Sequence, residues 1–370
     1  MPARGEPLRI GFAPWMVAGI RTQWENMLSH ILARPDIVPV VAEILPYRPG
    51  GTLEALPFVP HKVAGNLRSL QSTRLLFGQH LDALWTHDAR IVAPLTFSHP
   101  HLPIIFTADS TSKQQGAQGG HYAKAPSSSA RGRVRDLIER ACLARVTLAT
   151  PWSAWAAGSM CDDYGIPARR IEVIPPGIDL GRWPLHHRAG DGPVRLLFVG
   201  GDFVRKGGDL LLEVWRERLQ GRCELHLVTR ATLREQPGLF VYPGFNPNDP
   251  GLRELYARCD LFVLPTRADC FSLAGLEAMA SGLPVIISAV GGIPEIVANG
   301  LSGALIAPGD GAALAARIDA LLDDPDRRTA MGMAGRRIVE ARFDAAKTTA
   351  LLLDRIVEVA RSGRGWRPRP

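Results

Sequence analysis

The chain has 370 residues, room for two ordinary domains, with 46% hydrophobic and 21% charged residues, a balance that excludes a disordered or fibrous chain. A formal charge of +7 and a pI near 9.5 suit an anionic partner, but no RNP-type signature or zinc-finger spacing accompanies them, so nucleic acid is not expected. Five scattered cysteines without a C-x-x-C pair argue against a disulfide framework and a structural zinc site.

The opening MPARGEPLRIGFAPW passes almost directly into a strand and lacks a secretory apolar stretch. No apolar run approaches the roughly 20 residues of a spanning helix. A cytoplasmic location is therefore expected, with peripheral contact at an anionic inner membrane face as a further expectation. Short apolar runs then alternate with longer helical stretches, the pattern of a parallel α/β fold. Leu8–Ala13, Leu81–Thr86, Pro103–Thr107 and Val146–Ala149 read as strands of a first unit. Asp109–Arg135 is polar, rich in Gly and Ser and basic towards its end, which predicts a surface loop or substrate lid. Trp152 and Trp155 read as core residues; the alternative, with Arg131, Arg133 and Arg135, is an interfacial surface for a lipid-linked acceptor.

The loop-rich Pro175–Pro193 reads as a linker. Beyond it, Arg195–Val199, Glu224–Thr229, Leu261–Pro265 and Pro284–Ser288 are the strands of a second unit. A helix over Ala345–Arg361 carries Leu351, Leu352, Ile356 and Val359 at helical spacing. The terminal RSGRGWRPRP, with Arg361, Arg364, Arg367 and Arg369 around Trp366, reads as a solvated tail or a membrane or partner contact.

Two segments carry chemistry. In LLFVGGDFVRKGGDLLLEV a strand ends at Val199, glycines turn the chain, and Arg205 and Lys206 precede a helix. Glycine permits close backbone approach, and two cations can neutralise a diphosphate whose charge grows as it leaves. The spacing fits neither a dinucleotide fingerprint nor a P-loop. In LFVLPTRADCFSLAGLEAMASGLPVIIS a strand and loop lead to a helix over Ser272–Ser281, stopped by Gly282 and Pro284. Its amino end offers the backbone N–H groups of Phe271, Ser272 and Leu273 to an anion. Asp269 and Glu277 can accept hydrogen bonds from sugar hydroxyls on either side of that anion. The competing roles are a helix cap for Asp269 and an exposed helix position for Glu277.

Together these segments resemble the retaining nucleotide-sugar glycosyltransferases of group 1, family four. DCFSLAGLE matches the acidic-x7-Glu element, followed in order by SGLPVI and GGIPEIV; VIPPGID, LRELYARCDLFVLPT and GALIAPGD add to the match. The resemblance implies a GT-B fold: two Rossmann-like parallel-sheet domains facing across a cleft, here 1–185 for the acceptor and 186–344 for the donor. The C-terminal helix, residues 345–370, would cross back to the first domain. It implies that Lys206 binds the donor diphosphate and that Arg205 replaces a family arginine whose place is Gly201. Glu277 would hold the ribose hydroxyls and Asp269, where glutamate is usual, the transferred sugar. The backbone of Phe271, Ser272 and Leu273 would contact sugar and phosphate, while Thr229 and Phe245 line the nucleotide pocket. In the first domain, Asp109 would be a catalytic residue where a histidine near the transferred sugar is common, with a helix or turn cap as the alternative. Gly19 would belong to a loop approaching the donor, with Arg21 beside it.

The implied reaction moves a hexose-type sugar from a UDP- or GDP-sugar to a glycan, lipid-linked or small-molecule acceptor by front-side attack, with retention. No D-x-D-type metal motif lies in a suitable loop, so no metal and no cofactor beyond the donor are expected. A nucleotide-sugar epimerase and a non-catalytic nucleotide-sugar binding protein remain open alternatives.

Overall fold

The computed structural model describes residues 6–45, 74–76, 78–89, 91–92, 99–122, 128–183, 185, 192–234 and 236–363. Parts of the expected linker (184, 186–191) and of the Gly/Ser-rich stretch (123–127) lie outside them, as does the tail 364–370 with Trp366, Arg364, Arg367 and Arg369. By its internal contacts the chain divides into two units. The first comprises 1–117, 124–177 and 346–370, and the second 118–123 and 178–345. The division falls at Gly177, inside the expected linker Pro175–Pro193; Ile178 bonds to Phe343 and Ala345 of the second unit.

The first unit contains β1 (Leu8–Ala13), α1 (Ala18–Leu32), β2 (Ile37–Val41), β3 (Ala83–Thr86), β4 (Ile104–Phe106), α2 (Ser112–Ala117), α3 (Ala130–Leu143), β5 (Leu148–Ala149) and α4 (Ala154–Asp162). The strands pair in parallel in the order β2-β1-β3-β4-β5. Residues on both faces of β1 are buried, as a parallel sheet covered by helices requires. Leu8, Ile10 and Phe12 pack with Trp24 of α1 and Trp85 of β3, the three rings lying 5.8–6.1 Å apart. Trp152 is buried, so the core role holds for it and the interfacial alternative does not.

The second unit contains β6 (Val194–Val199), α5 (Gly208–Val214), β7 (Cys223–Val228), β8 (Leu239–Tyr242), α6 (Pro250–Arg258), β9 (Leu261–Leu264), α7 (Leu273–Ala280), β10 (Val285–Ser288), β11 (Gly303–Ile306), α8 (Gly311–Leu322) and α9 (Pro325–Arg342). All six strands are parallel, in the order β11-β10-β9-β6-β7-β8. The chain leaves β6 for β7 on one side, and β9 pairs on its other side. That reversal opens a crevice at the carboxyl ends of β6 and β9, where ligands of open α/β sheets bind.

The last helix, α10 (Ala345–Ser362), packs its Leu352, Leu353, Ile356 and Val359 into the core of the first unit. Leu351, expected on that face, is exposed, and Leu353 takes its place. Arg355 ties the helix to Glu172 at 2.7 Å, and Arg34 reaches Asp354 at 2.7 Å. No described helix is long and apolar enough to cross a membrane.

Candidate functional site

The loops after β6 and β9 interlock at the switch point of the second unit. Gly207 has a φ of +76°, and a Cβ there would lie 1.9 Å from the Pro265 carbonyl oxygen. Only glycine tolerates both the left-handed backbone and that approach. From the other side, a Cβ on Gly291 (φ +57°) would lie 2.3 Å from the Asp269 carbonyl oxygen. Backbone bonds Arg267 N–H to Arg205 O (2.9 Å) and Gly292 N–H to Cys270 O (2.8 Å) complete the clamp.

Within it, Lys206 Nζ donates to Asp269 Oδ2 at 2.5 Å. Both side chains are largely withdrawn from water, and Asp269 Oδ1 also accepts the Cys270 N–H at 3.1 Å. The expectation assigned these two residues to different parts of a ligand, yet they are each other's partner. The cap role for Asp269 is removed: Ser272 caps α7, its Oγ accepting the Gly275 N–H at 3.1 Å. Arg205 is held between its own loop and the loop after β9. It pairs with Asp202 at 3.1 Å, donates to Ala268 O at 2.9 Å and lies over the Tyr122 ring, 5.1 Å from its centre. Gly200 is pressed by the Phe198 ring, but a Cβ on Gly201 meets nothing within 4 Å. Position 201 thus has room for the family's arginine, and no steric demand of the fold explains the glycine.

Glu277 sits in the second turn of α7 and is buried, not on the exposed face the competing role requires. Burial pushes its carboxyl up from the ordinary 4.5 to about 7, partly opposed by the Tyr256 hydroxyl, which donates to Oε2 at 3.2 Å. Tyr256 of α6 is held edge-on against Trp183 at 5.0 Å. Phe271 and Leu273 are buried, Phe271 lying 6.4 Å from the Phe343 ring. The first amides of α7 have no acceptor inside the helix, apart from the one that Ser272 satisfies. Lys206 and Glu277 therefore flank one short segment, joined through Asp269 and the start of α7.

Thr229 directly follows β7, its Oγ1 accepting the Ala231 N–H at 3.3 Å, and Phe245 stacks on Tyr242 at 5.8 Å. Both stand beside the carboxyl ends of β7 and β8, where Arg230, Gln236, Phe240 and Tyr242 help line a cavity of about 750 Å³. Asp109 and Gly19 belong to the first unit. Asp109, half-buried, accepts the Ser110 hydroxyl at 2.9 Å; Thr111 takes the capping position of α2, accepting the Gln114 N–H at 3.3 Å. Gly19 is not in a loop but in the first turn of α1, where Arg21 pairs with Glu25 at 2.8 Å.

Three residues were not singled out from sequence. Tyr256 lies in the quoted LRELYARCD, and only its contact with Glu277 gives it a role. Tyr122 is the one aromatic residue in the Gly/Ser-rich stretch; its hydroxyl accepts from Cys270 Sγ at 3.4 Å. His87, buried beyond β3, has its pKa pushed down to about 3 by burial, and its Nε2 lies 2.8 Å from Gln23 Oε1. Among the described residues no cluster of His, Cys, Asp or Glu could hold a metal ion.

Two parallel-sheet units with clamped loops at a topological switch point place the protein among nucleotide-binding folds of the GT-B type, and comparison with known proteins agrees. Residues 19–182 match the model described as Glycosyltransferase Family 4, and residues 193–324 that described as Glycosyl transferases group 1. The chain belongs to the group 1, family four glycosyltransferases. A D-inositol 3-phosphate glycosyltransferase of Geodermatophilus obscurus is 32% identical over 264 residues, 64% of this chain and 57% of that one. The chain spans about half the length of the curated relatives it matches. Among solved structures, the sucrose-phosphate synthase of Thermosynechococcus elongatus superposes with a TM-score of 0.73, at 18% identity, over 96% of this chain and all of that one. HepE of Anabaena in complex with UDP-glucose gives 0.71 at 15% identity, covering 95% and 99%. At such identities the likeness shows the fold alone.

Proposed function

We propose that the protein transfers a hexose-type sugar, with retained configuration, from a nucleotide-diphosphate donor to an acceptor. The observation that carries the reading is the Lys206–Asp269 pair beside the amino end of α7, with Glu277 buried in the next turn. A diphosphate arriving at that helix end meets the first backbone amides of α7 and competes with Asp269 for the Lys206 ammonium. Once released, the Asp269 carboxylate accepts hydroxyls of the transferred sugar. Glu277 accepts the ribose hydroxyls, and Tyr256 holds its carboxyl in place. Thr229 and Phe245 border the nucleotide.

In the reaction the bond between the anomeric carbon and the donor phosphate breaks as the acceptor oxygen attacks from the same face. The leaving phosphate takes the acceptor proton. Lys206 stabilises the negative charge that develops on the diphosphate, and Arg205 braces the loop that carries it. Holding donor and acceptor in register supplies the remainder. A dry site suppresses donor hydrolysis, the competing reaction. Asp109 is the first unit's catalytic candidate, in the place where the family commonly has a histidine.

The similar proteins supply the supporting chemistry: HepE is found in complex with UDP-glucose, and the Geodermatophilus protein is a glycosyltransferase. The test is a thermal-shift panel of UDP-, GDP- and ADP-sugars, because a ligand bound to the folded state raises its stability. One donor class should raise the midpoint, and Lys206→Ala should abolish both that shift and turnover. No shift with any of them refutes the donor site. A free epimer from the donor, without a glycoside, would make the protein an epimerase.

A further inference from the structure

Residues 118–123 belong by their contacts to the second unit, although 1–117 and 124–177, on either side of them, belong to the first. This short strap lies against the loop that carries Asp269. Gln118 Nε2 donates to the Asp269 carbonyl oxygen at 3.3 Å. Arg205 Cζ lies over the Tyr122 ring, 5.1 Å from its centre. The Tyr122 hydroxyl accepts from Cys270 Sγ at 3.4 Å and from Arg205 Nη1 at 3.5 Å.

Three successive residues of the loop after β9 are thereby clasped from outside it. Arg205 Nη1 holds the Ala268 carbonyl at 2.9 Å, Gln118 holds that of Asp269, and Tyr122 meets the Cys270 thiol. A guanidinium donates in its plane and stacks through its face. The Tyr122 ring therefore covers the face of Arg205 and leaves its edges to Ala268 and to Asp202, paired at 3.1 Å. Asp269 sits in the middle of the clasped segment, with Lys206 on its carboxylate. With the backbone held on both sides, that carboxylate can pass from Lys206 to a ligand hydroxyl by turning its side chain, without a shift of the loop. Lys206 is placed independently of the strap. Its N–H donates to Asp202 O at 2.9 Å, and the next residue, Gly207, packs against the Pro265 carbonyl.

We infer that Tyr122, with Gln118, is a positioning residue of the donor site: its ring fixes Arg205, and through Arg205 and Cys270 it sets where the Asp269 carboxylate meets the transferred sugar. The inference rests on the donor reading above and adds a residue from outside the two motif segments. Loss of the ring costs the grip on the sugar, while the diphosphate keeps Lys206 and the first amides of α7.

The test is titration calorimetry of the full chain with UDP-, GDP- and ADP-glucose and with the matching nucleoside diphosphates. Comparing two ligands on one folded variant cancels the general loss that a merely structural role would give. For the nucleotide that binds the wild type, Tyr122→Leu should weaken the nucleotide sugar at least about tenfold and the nucleoside diphosphate less than about threefold. Tyr122→Phe, which keeps the ring over Arg205, should stay within about threefold of wild type for both ligands. Gln118→Ala should shift the ratio of the two affinities in the same direction as Tyr122→Leu. An unchanged ratio in Tyr122→Leu, or a Tyr122→Phe variant as defective as Tyr122→Leu, overturns the inference and leaves the donor reading in place. A wild type that binds none of the nucleotide sugars overturns both.

Discussion

Replacing Glu277 by glutamine removes a titrating carboxyl from the interior of the second unit while keeping its shape and an oxygen for the Tyr256 hydroxyl. In the wild type, burial raises this carboxyl from 4.5 to about 7, so between those values the folded chain holds a proton that the unfolded chain has released. The sign follows from linkage: where the folded state binds more protons, stability falls as pH rises. The loss begins near the unfolded value, grows towards the folded value and is complete above it. From about pH 5 to about pH 8 it amounts to about 2–3 kcal/mol. Urea unfolding at both ends of that window measures it, and the difference between wild type and Glu277→Gln cancels every other titrating group. The variant should lack this part of the slope, so its stability relative to wild type should rise by about 2–3 kcal/mol towards alkaline pH. Parallel curves for the two proteins would refute the reasoning, since a solvated or charge-compensated carboxylate gives no such difference.

Three further outcomes are expected. Gly207→Ala forces a Cβ against the Pro265 carbonyl at positive φ and should cost at least ~2 kcal/mol in urea unfolding. Asp269→Asn frees the Lys206 ammonium: in calorimetry a nucleoside diphosphate should bind as tightly as to wild type or more so, while kcat/KM for the sugar donor falls at least about tenfold. In α10, Leu353→Ala should cost ~2–5 kcal/mol and Leu351→Ala no more than ~0.5 kcal/mol, a contrast in thermal or urea unfolding that fixes the register of the helix.

Legibility in the sequence followed burial. Strands buried on both faces, such as β1, β6 and β9, announce themselves as short apolar runs between turn residues, and each lies within a residue or two of its expected bounds. The strands that escaped notice lie at sheet edges. β2 contains Pro39, which an edge position tolerates; β8 is four residues long; β11 opens with Gly303, pressed against Val285. Strand order was not readable, because a parallel crossover leaves no local periodicity. At the site, motif order brought out Lys206, Asp269 and Glu277. It could not show that Lys206 and Asp269 pair, since each residue reads as a ligand contact when taken alone. Nor could it show Tyr256, whose contact with Glu277 spans 21 positions. Gly19 misled because glycine suggests a loop, yet α1 begins one residue earlier.

The most direct measurement is a crystal structure of the protein with a nucleotide-diphosphate sugar bound. The expected result puts a diphosphate oxygen within hydrogen-bond distance of Lys206 Nζ, its neighbours on the first amides of α7, and both ribose hydroxyls on Glu277. A diphosphate seated elsewhere, with Lys206 still on Asp269 and Glu277 untouched by ribose, would contradict the account.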